Sequence, residues 1–300
     1  MPSPLQKTAF FIASSVTMLL FSSAARAQDA PVDKLTVSLS GQASREQKSD
    51  ANTIRSGSLG LQWQHGTVSI GATIGATGTG VRLPSVVDRV RTSTLDAGVN
   101  AGIALGRSFM GVNFAYSRQG LNGSATIGDT LVGAGTDAAA EVSGDVVSTS
   151  IGGSFSHSFG QGALTATPML SVSYDRTRTS GGLTLRDRTT PVGIDTTSEG
   201  VSITPALSVT RQFSDSFSLT GSAAFTAVTD GAASRLGRRL FGSSTVQTGQ
   251  QDANATQWGT LGLSASISPT ARFSILPSIG TTVGRSTNEI FGGTTLAMSF

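Results

Sequence analysis

Apolar and small polar residues alternate with a period of two through much of the chain, which predicts strands rather than helices. The alternation is clearest from Leu164 to Tyr174. Leu164, Ala166, Pro168, Leu170, Val172 and Tyr174 share one face, and Thr165, Thr167, Ser171 and Ser173 share the other, with Met169 the exception. Val201, Ile203, Pro205, Leu207 and Val209 repeat the pattern, as do Phe217, Leu219, Ala223 and Phe225, and then Leu261, Leu263, Ala265 and Ile267. About twelve segments read this way, at 34–45, 54–64, 67–76, 92–105, 108–118, 144–159, 163–176, 199–213, 216–229, 255–267, 271–283 and 289–300.

The connections sharpen the picture. Very short ones, at His65-Gly66, Gly106-Arg107, Gly160-Gln161-Gly162, Ser214-Asp215 and Ser268-Pro269-Thr270, alternate with longer ones at about 46–53, 77–91, 119–143, 177–198 and 230–254. The segment 284–288 breaks the rule by being short. Outer-membrane barrels alternate in this way because periplasmic turns are tight and surface loops are long. The expected fold is an all-β, transmembrane, antiparallel up-and-down β-barrel of about twelve strands. An even strand number returns both ends of the chain to the periplasm.

Export is expected from the N-terminus. Lys7 supplies a positive charge, Ala9 to Phe21 an apolar stretch, and Ala25-Arg26-Ala27 a small-x-small cleavage site, so residues 1–27 read as a cleaved signal peptide. The stretch is too short for a membrane-spanning helix, which needs about 20 residues. The barrel domain then occupies 28–300. Loss of Lys7 and Arg26 leaves 21 − 2 = 19 basic residues against 18 acidic ones, a balance that offers nothing to nucleic acid. There is no cysteine, so the fold closes without disulfides and without thiolate chemistry. Charged residues make up 13% of the chain, about half the share typical of soluble domains, while glycine reaches 37 copies. A barrel in lipid accounts for both, needing a moderately apolar outside and a small, polar inside.

The last residues carry a family resemblance. Leu296, Met298 and Phe300 share one face of a final strand that ends on an aromatic residue. With about twelve strands filling the chain, this resembles the translocator domain of autotransporters from Gram-negative bacteria. The resemblance implies an outer-membrane location and a terminal strand read by the barrel-assembly machinery. It also implies outer-membrane lipid and lipopolysaccharide as surroundings. Only Gln28 to Asp33 precede the first strand, so the expectation is a barrel without a passenger or a pore-threading helix.

Candidate chemistry is sparse. Gln62, Asp96, Asn100, Asn113, Asp175 and Trp258 are the bulkier or more polar residues on the expected lumen face. Arg82, Arg89 and Arg91, then Arg178, Arg186 and Arg188, then Arg235, Arg238 and Arg239 cluster in expected surface loops, where they could pair phosphate. The loop at 119–143 is acidic, with Asp129, Asp137 and Glu141. His157 lies between Ser156 and Ser158, whose side chains point to the opposite face, so no catalytic pair is read there. Catalytic, cofactor and metal sites are therefore expected to be absent. The expected function is a non-enzymatic outer-membrane barrel, structural or pore-forming. The alternatives are a passive diffusion channel for small solutes, or a surface-binding barrel acting through its arginine-rich loops.

Overall fold

The computed structural model describes residues 11–12, 33–46, 53–83, 87–127, 138–160, 162–185, 192–229, 246–247, 256–283 and 289–300. The expected signal segment at 1–27 lies outside them, apart from Phe11 and Ile12, which pair with Val246 and Gln247 in a separate two-stranded sheet. Every other described strand belongs to one closed barrel. In chain order its strands are β1 (Lys34–Glu46), β2 (Thr53–His65), β3 (Val68–Leu83), β4 (Val87–Leu105), β5 (Ser108–Ile127) and β6 (Ala138–His157). Then follow β7 (Leu164–Leu185), β8 (Val192–Ser214), β9 (Phe217–Thr229), β10 (Thr256–Thr270), β11 (Phe273–Val283) and β12 (Glu289–Ser299).

Each strand pairs antiparallel with its sequence neighbours, and β12 closes on β1 in a register running from Glu289 opposite Glu46 to Ser299 opposite Thr36. Phe300 extends the seam by one rung. Its amide donates to the Leu35 carbonyl at 2.8 Å, and the Leu35 amide donates to the Phe300 carbonyl at 3.2 Å. Closure leaves no sheet edge with unpaired backbone groups, the condition for crossing lipid with strands.

The faces are inverted relative to a water-soluble sheet. Buried hydrophobic residues such as Val146, Val228 and Phe291 are fewer than buried serines, threonines and other polar residues. Leu39, Leu59, Ile74, Leu95, Val112, Ile151 and Ile279 stand exposed on the outer wall. A wall of this kind costs free energy in water and none in hydrocarbon. Aromatic residues flank it. Trp63, Phe155, Phe159, Phe213 and Phe300 lie toward the tight turns, and Tyr116, Tyr174 and Phe225 toward the other end, all exposed.

The tight turns share one end with Lys34 and Phe300. Gly66 and Gly106 open two-residue hairpins with φ of 55° and 61°, a conformation that favours glycine and matches the strand twist. The expected turn at 268–270 is instead formed by Ala271 and Arg272, with Pro269 kept inside β10. The pairing register slips between Ile267 and Thr270, next to this proline, which has no amide to give the ladder. Pro205 acts alike. β8 pairs with β9 at Ala206 and at Ile203 but not between them, and a Thr204–Thr226 hydroxyl bond at 3.0 Å spans the gap.

Strands are longer than expected on the side away from the turns. Alternation predicts β3 ending near 76 and β5 near 118, whereas they reach Leu83 and Ile127. Pairing of β5 with β6 continues to Ile127 opposite Ala138. The added residues are mostly glycine, serine, threonine and charged groups, so both faces are polar and the sequence carries no contrast there. Glu141 accordingly lies on β6 and not in an acidic loop. Asp129 and Asp137 fall outside the described residues.

Candidate functional site

The inner face is built from the polar half of each alternating strand. Near the tight turns the inward side chains are half-buried, as at Gln62, Asn100, Asn113, Thr167 and Ser264. Toward the other end they are buried, as at Ser58, Thr94, Ser117, Thr204 and Thr260. Large residues are accommodated by placing glycine beside them. Asn100 and Asn113 face each other across β4 and β5, flanked in register by Gly71 and Gly152. A Cβ at Gly71 would lie 2.7 Å from the Asn100 amide oxygen, and one at Gly152 would lie 2.9 Å from that of Asn113. The Phe109 ring lies over Gly102 in the same manner, and the Phe291 ring over Gly280, each leaving no room for a Cβ.

A polar band crosses β4 to β8. Asp96 is in register with Ser117, Ser117 with Ser148, and Ser148 with Thr177, whose hydroxyls meet at 3.0 Å. One level away Ser150 faces Asp175. The Ser173 hydroxyl donates to Asp175 Oδ2 at 3.0 Å and lies 2.6 Å from the Ser202 hydroxyl. Asp175 and Gln119 are each 0% exposed and Asp96 is 1% exposed. The Gln119 amide and the Ser117 and Ser150 hydroxyls are buried with no partner among the described residues. Gln119 was not legible in the sequence, because it falls where alternation fades and a loop is expected.

The six expected lumen residues thus divide. Asp96, Asp175 and Trp258 are buried on the inner face, while Gln62, Asn100 and Asn113 lie on it half-buried, nearer the turns. The arginines divide too. Arg82 lies on β3, and Arg89 and Arg91 on β4, so these are strand and not loop residues, because pairing continues through Val81 opposite Val90. Arg186, Arg188, Arg235, Arg238 and Arg239 fall outside the described residues.

The outer wall carries Arg178, which lies on β7 and not in the expected loop, together with arginines that the alternation did not single out. Arg45, Arg55, Arg118, Arg176 and Arg178 are exposed on the outward side of β1, β2, β5 and β7. Three are matched across strands. Arg118 meets Asp145 at 3.3 Å, Arg176 meets Glu199 at 3.2 Å, and Arg178 holds both Asp195 oxygens at 3.2 and 2.9 Å.

His157 faces outward beside a tight turn, in edge contact with Phe159, and its Nδ1 lies 2.8 Å from the Ser108 hydroxyl. Ser108 is its register partner on β5, a neighbour that chain proximity does not reveal. No carboxylate among the described residues orients the imidazole, so the pair lacks the third member of a hydrolytic triad. No group of three or more potential metal ligands occurs among the described residues.

No family model and no curated protein matches the chain. Solved structures do. The translocator domain of the autotransporter NalP from Neisseria meningitidis aligns with a TM-score of 0.66 at 13% identity, over 91% of this chain and 90% of that one. The β domain of the Bordetella autotransporter BrkA aligns with a TM-score of 0.64 at 13% identity, over 91% of this chain and all of that one (100%). The toluene transporter TodX of P. putida aligns with a TM-score of 0.50 at 12% identity, over 92% of each chain. At such identities the likeness is one of fold. This chain is a closed twelve-stranded outer-membrane-type barrel that resembles the translocator domains of autotransporters.

Proposed function

We propose that the protein is a non-enzymatic barrel of the Gram-negative outer membrane whose hydrated interior passes small polar solutes. One observation carries this reading: the buried polar groups of Gln119, Ser117 and Ser150 on the inner wall, which no described protein group satisfies. Leaving such a group unpaired costs about 1–3 kcal/mol, so water is their natural partner. The likeness to translocator and transporter barrels supports the architecture on which the reading rests.

The test is conductance of the purified, folded protein in a planar bilayer. Discrete channel openings are expected. Silence from barrels shown to be folded would favour the second reading, a structural barrel. That reading draws on the near-complete burial of Asp96, Gln119 and Asp175 toward the loop end.

A further inference from the structure

Two of the five arginines named above differ from the other three. Arg45 on β1 and Arg55 on β2 are exposed, and neither has an acidic partner among the described residues. Arg45 is in register with Thr53, and Arg55 with Ala43, so the two guanidinium groups belong to diagonal neighbours on adjacent strands. Such neighbours lie about 7–8 Å apart at the backbone, within reach of one anion for side chains of this length. Two uncompensated positive charges side by side repel each other unless an anion is shared between them.

Their height identifies the anion. Arg45 follows Leu35 by ten positions on β1. At about 3.3 Å per residue and a tilt of about 40°, that places it about 25 Å above the turn-side edge of the wall, the height of an outer-membrane apolar band. The phosphates of the outer-leaflet lipid lie at that level. Beside and below the pair the wall is flat, with Gly78 in register with Arg55 and Gly41 with Gly57. Gly41, Gly57 and Gly78 are exposed, and a Cβ at Gly41 or Gly78 would meet nothing within 4 Å. Beneath them Leu39, Leu59 and Ile74 resume the bulky apolar surface.

We propose that Arg45 and Arg55 bind a phosphate of lipid A, with an acyl chain of the same molecule lying down the glycine-floored surface toward Leu39 and Leu59. Guanidinium groups are suited to this, since each can present two donors to one phosphate. The assignment rests on an outer-membrane location with the tight turns on the periplasmic side, and it does not require an open pore. Conductance therefore tests the pore separately.

The experiment measures lipid retained by the purified full-length barrel in neutral detergent, by native mass spectrometry. Lipid A bearing its phosphates is compared with dephosphorylated lipid A and with inorganic phosphate. The wild-type barrel is expected to retain one phosphorylated lipid, with retention roughly tenfold lower for the dephosphorylated form and none for free phosphate. The R45Q/R55Q variant should lose that preference, while R118Q keeps it. Gly41→Phe leaves both arginines in place and is expected to reduce retention by covering the flat surface. Equal retention by wild type and R45Q/R55Q would overturn the proposal. So would equal retention of both lipids by the wild type, or no retention at all.

Discussion

At the scale of single residues, glycine and its neighbours determine what the interior can hold. Phe291 lies across Gly280, where a Cβ would collide with the ring and sit 2.6 Å from the Leu261 carbonyl oxygen. Gly280→Ala is therefore expected to destabilise the barrel by about 1–3 kcal/mol, the usual cost of overpacking. A lowered urea midpoint for unfolding from detergent would show it. At Gly78, where a Cβ meets nothing, alanine should leave the midpoint unchanged. The interior acids give a second prediction. Asp96 and Asp175 are the acidic residues of the buried inner wall, where no lysine or arginine is buried among the described residues. If the pore conducts, it should prefer cations, since acidic side chains lining a pore favour them. Replacing both acids with asparagine should shift the reversal potential in a salt gradient toward zero. Preserved cation preference in that variant would place selectivity elsewhere.

At the scale of elements, the sequence reveals strands where one face meets lipid. Leu164 to Tyr174 is legible because leucine and valine alternate with serine and threonine. Residues 177–185 are not, because arginine, threonine, serine and glycine alternate with one another although the same strand continues. The polar band suffered from this. Asp96 and Asp175 lie within legible segments whose parity turns them inward, while Gln119 lies just past one, where the fading alternation predicts a loop. Arg45 and Arg55 are hard to read from the sequence for a related reason. They sit at the ends of legible strands on the apolar parity, where an arginine marks the border of the lipid face. The final strand supplies the prediction at this scale. Phe300 exchanges two backbone hydrogen bonds with Leu35 across the closing seam and is 61% exposed on the outer wall. Deleting it is expected to reduce the amount of folded barrel in the outer membrane several-fold, measured by fractionation, and Phe300→Tyr should restore most of it. Undiminished assembly of the deletion variant would reduce the terminal aromatic residue to an ordinary wall residue.

For the whole molecule, the inverted distribution of polarity decides the environment. A closed wall of exposed leucine, valine, isoleucine and aromatic side chains around a serine- and threonine-lined interior is stable only where lipid surrounds it. Strand count, the end of the barrel that carries the tight turns and the aromatic girdles were readable because each follows from period-two alternation and its interruptions. What passes through the interior was not, because small hydroxyl residues are compatible with many solutes. The measurement that bears most directly on the architecture is gel migration of the membrane-extracted protein before and after boiling. The closed barrel predicts recovery with the outer membrane and an unboiled band that migrates apart from the boiled one. Recovery from the soluble periplasm, with one band at the same position under both conditions, would contradict it.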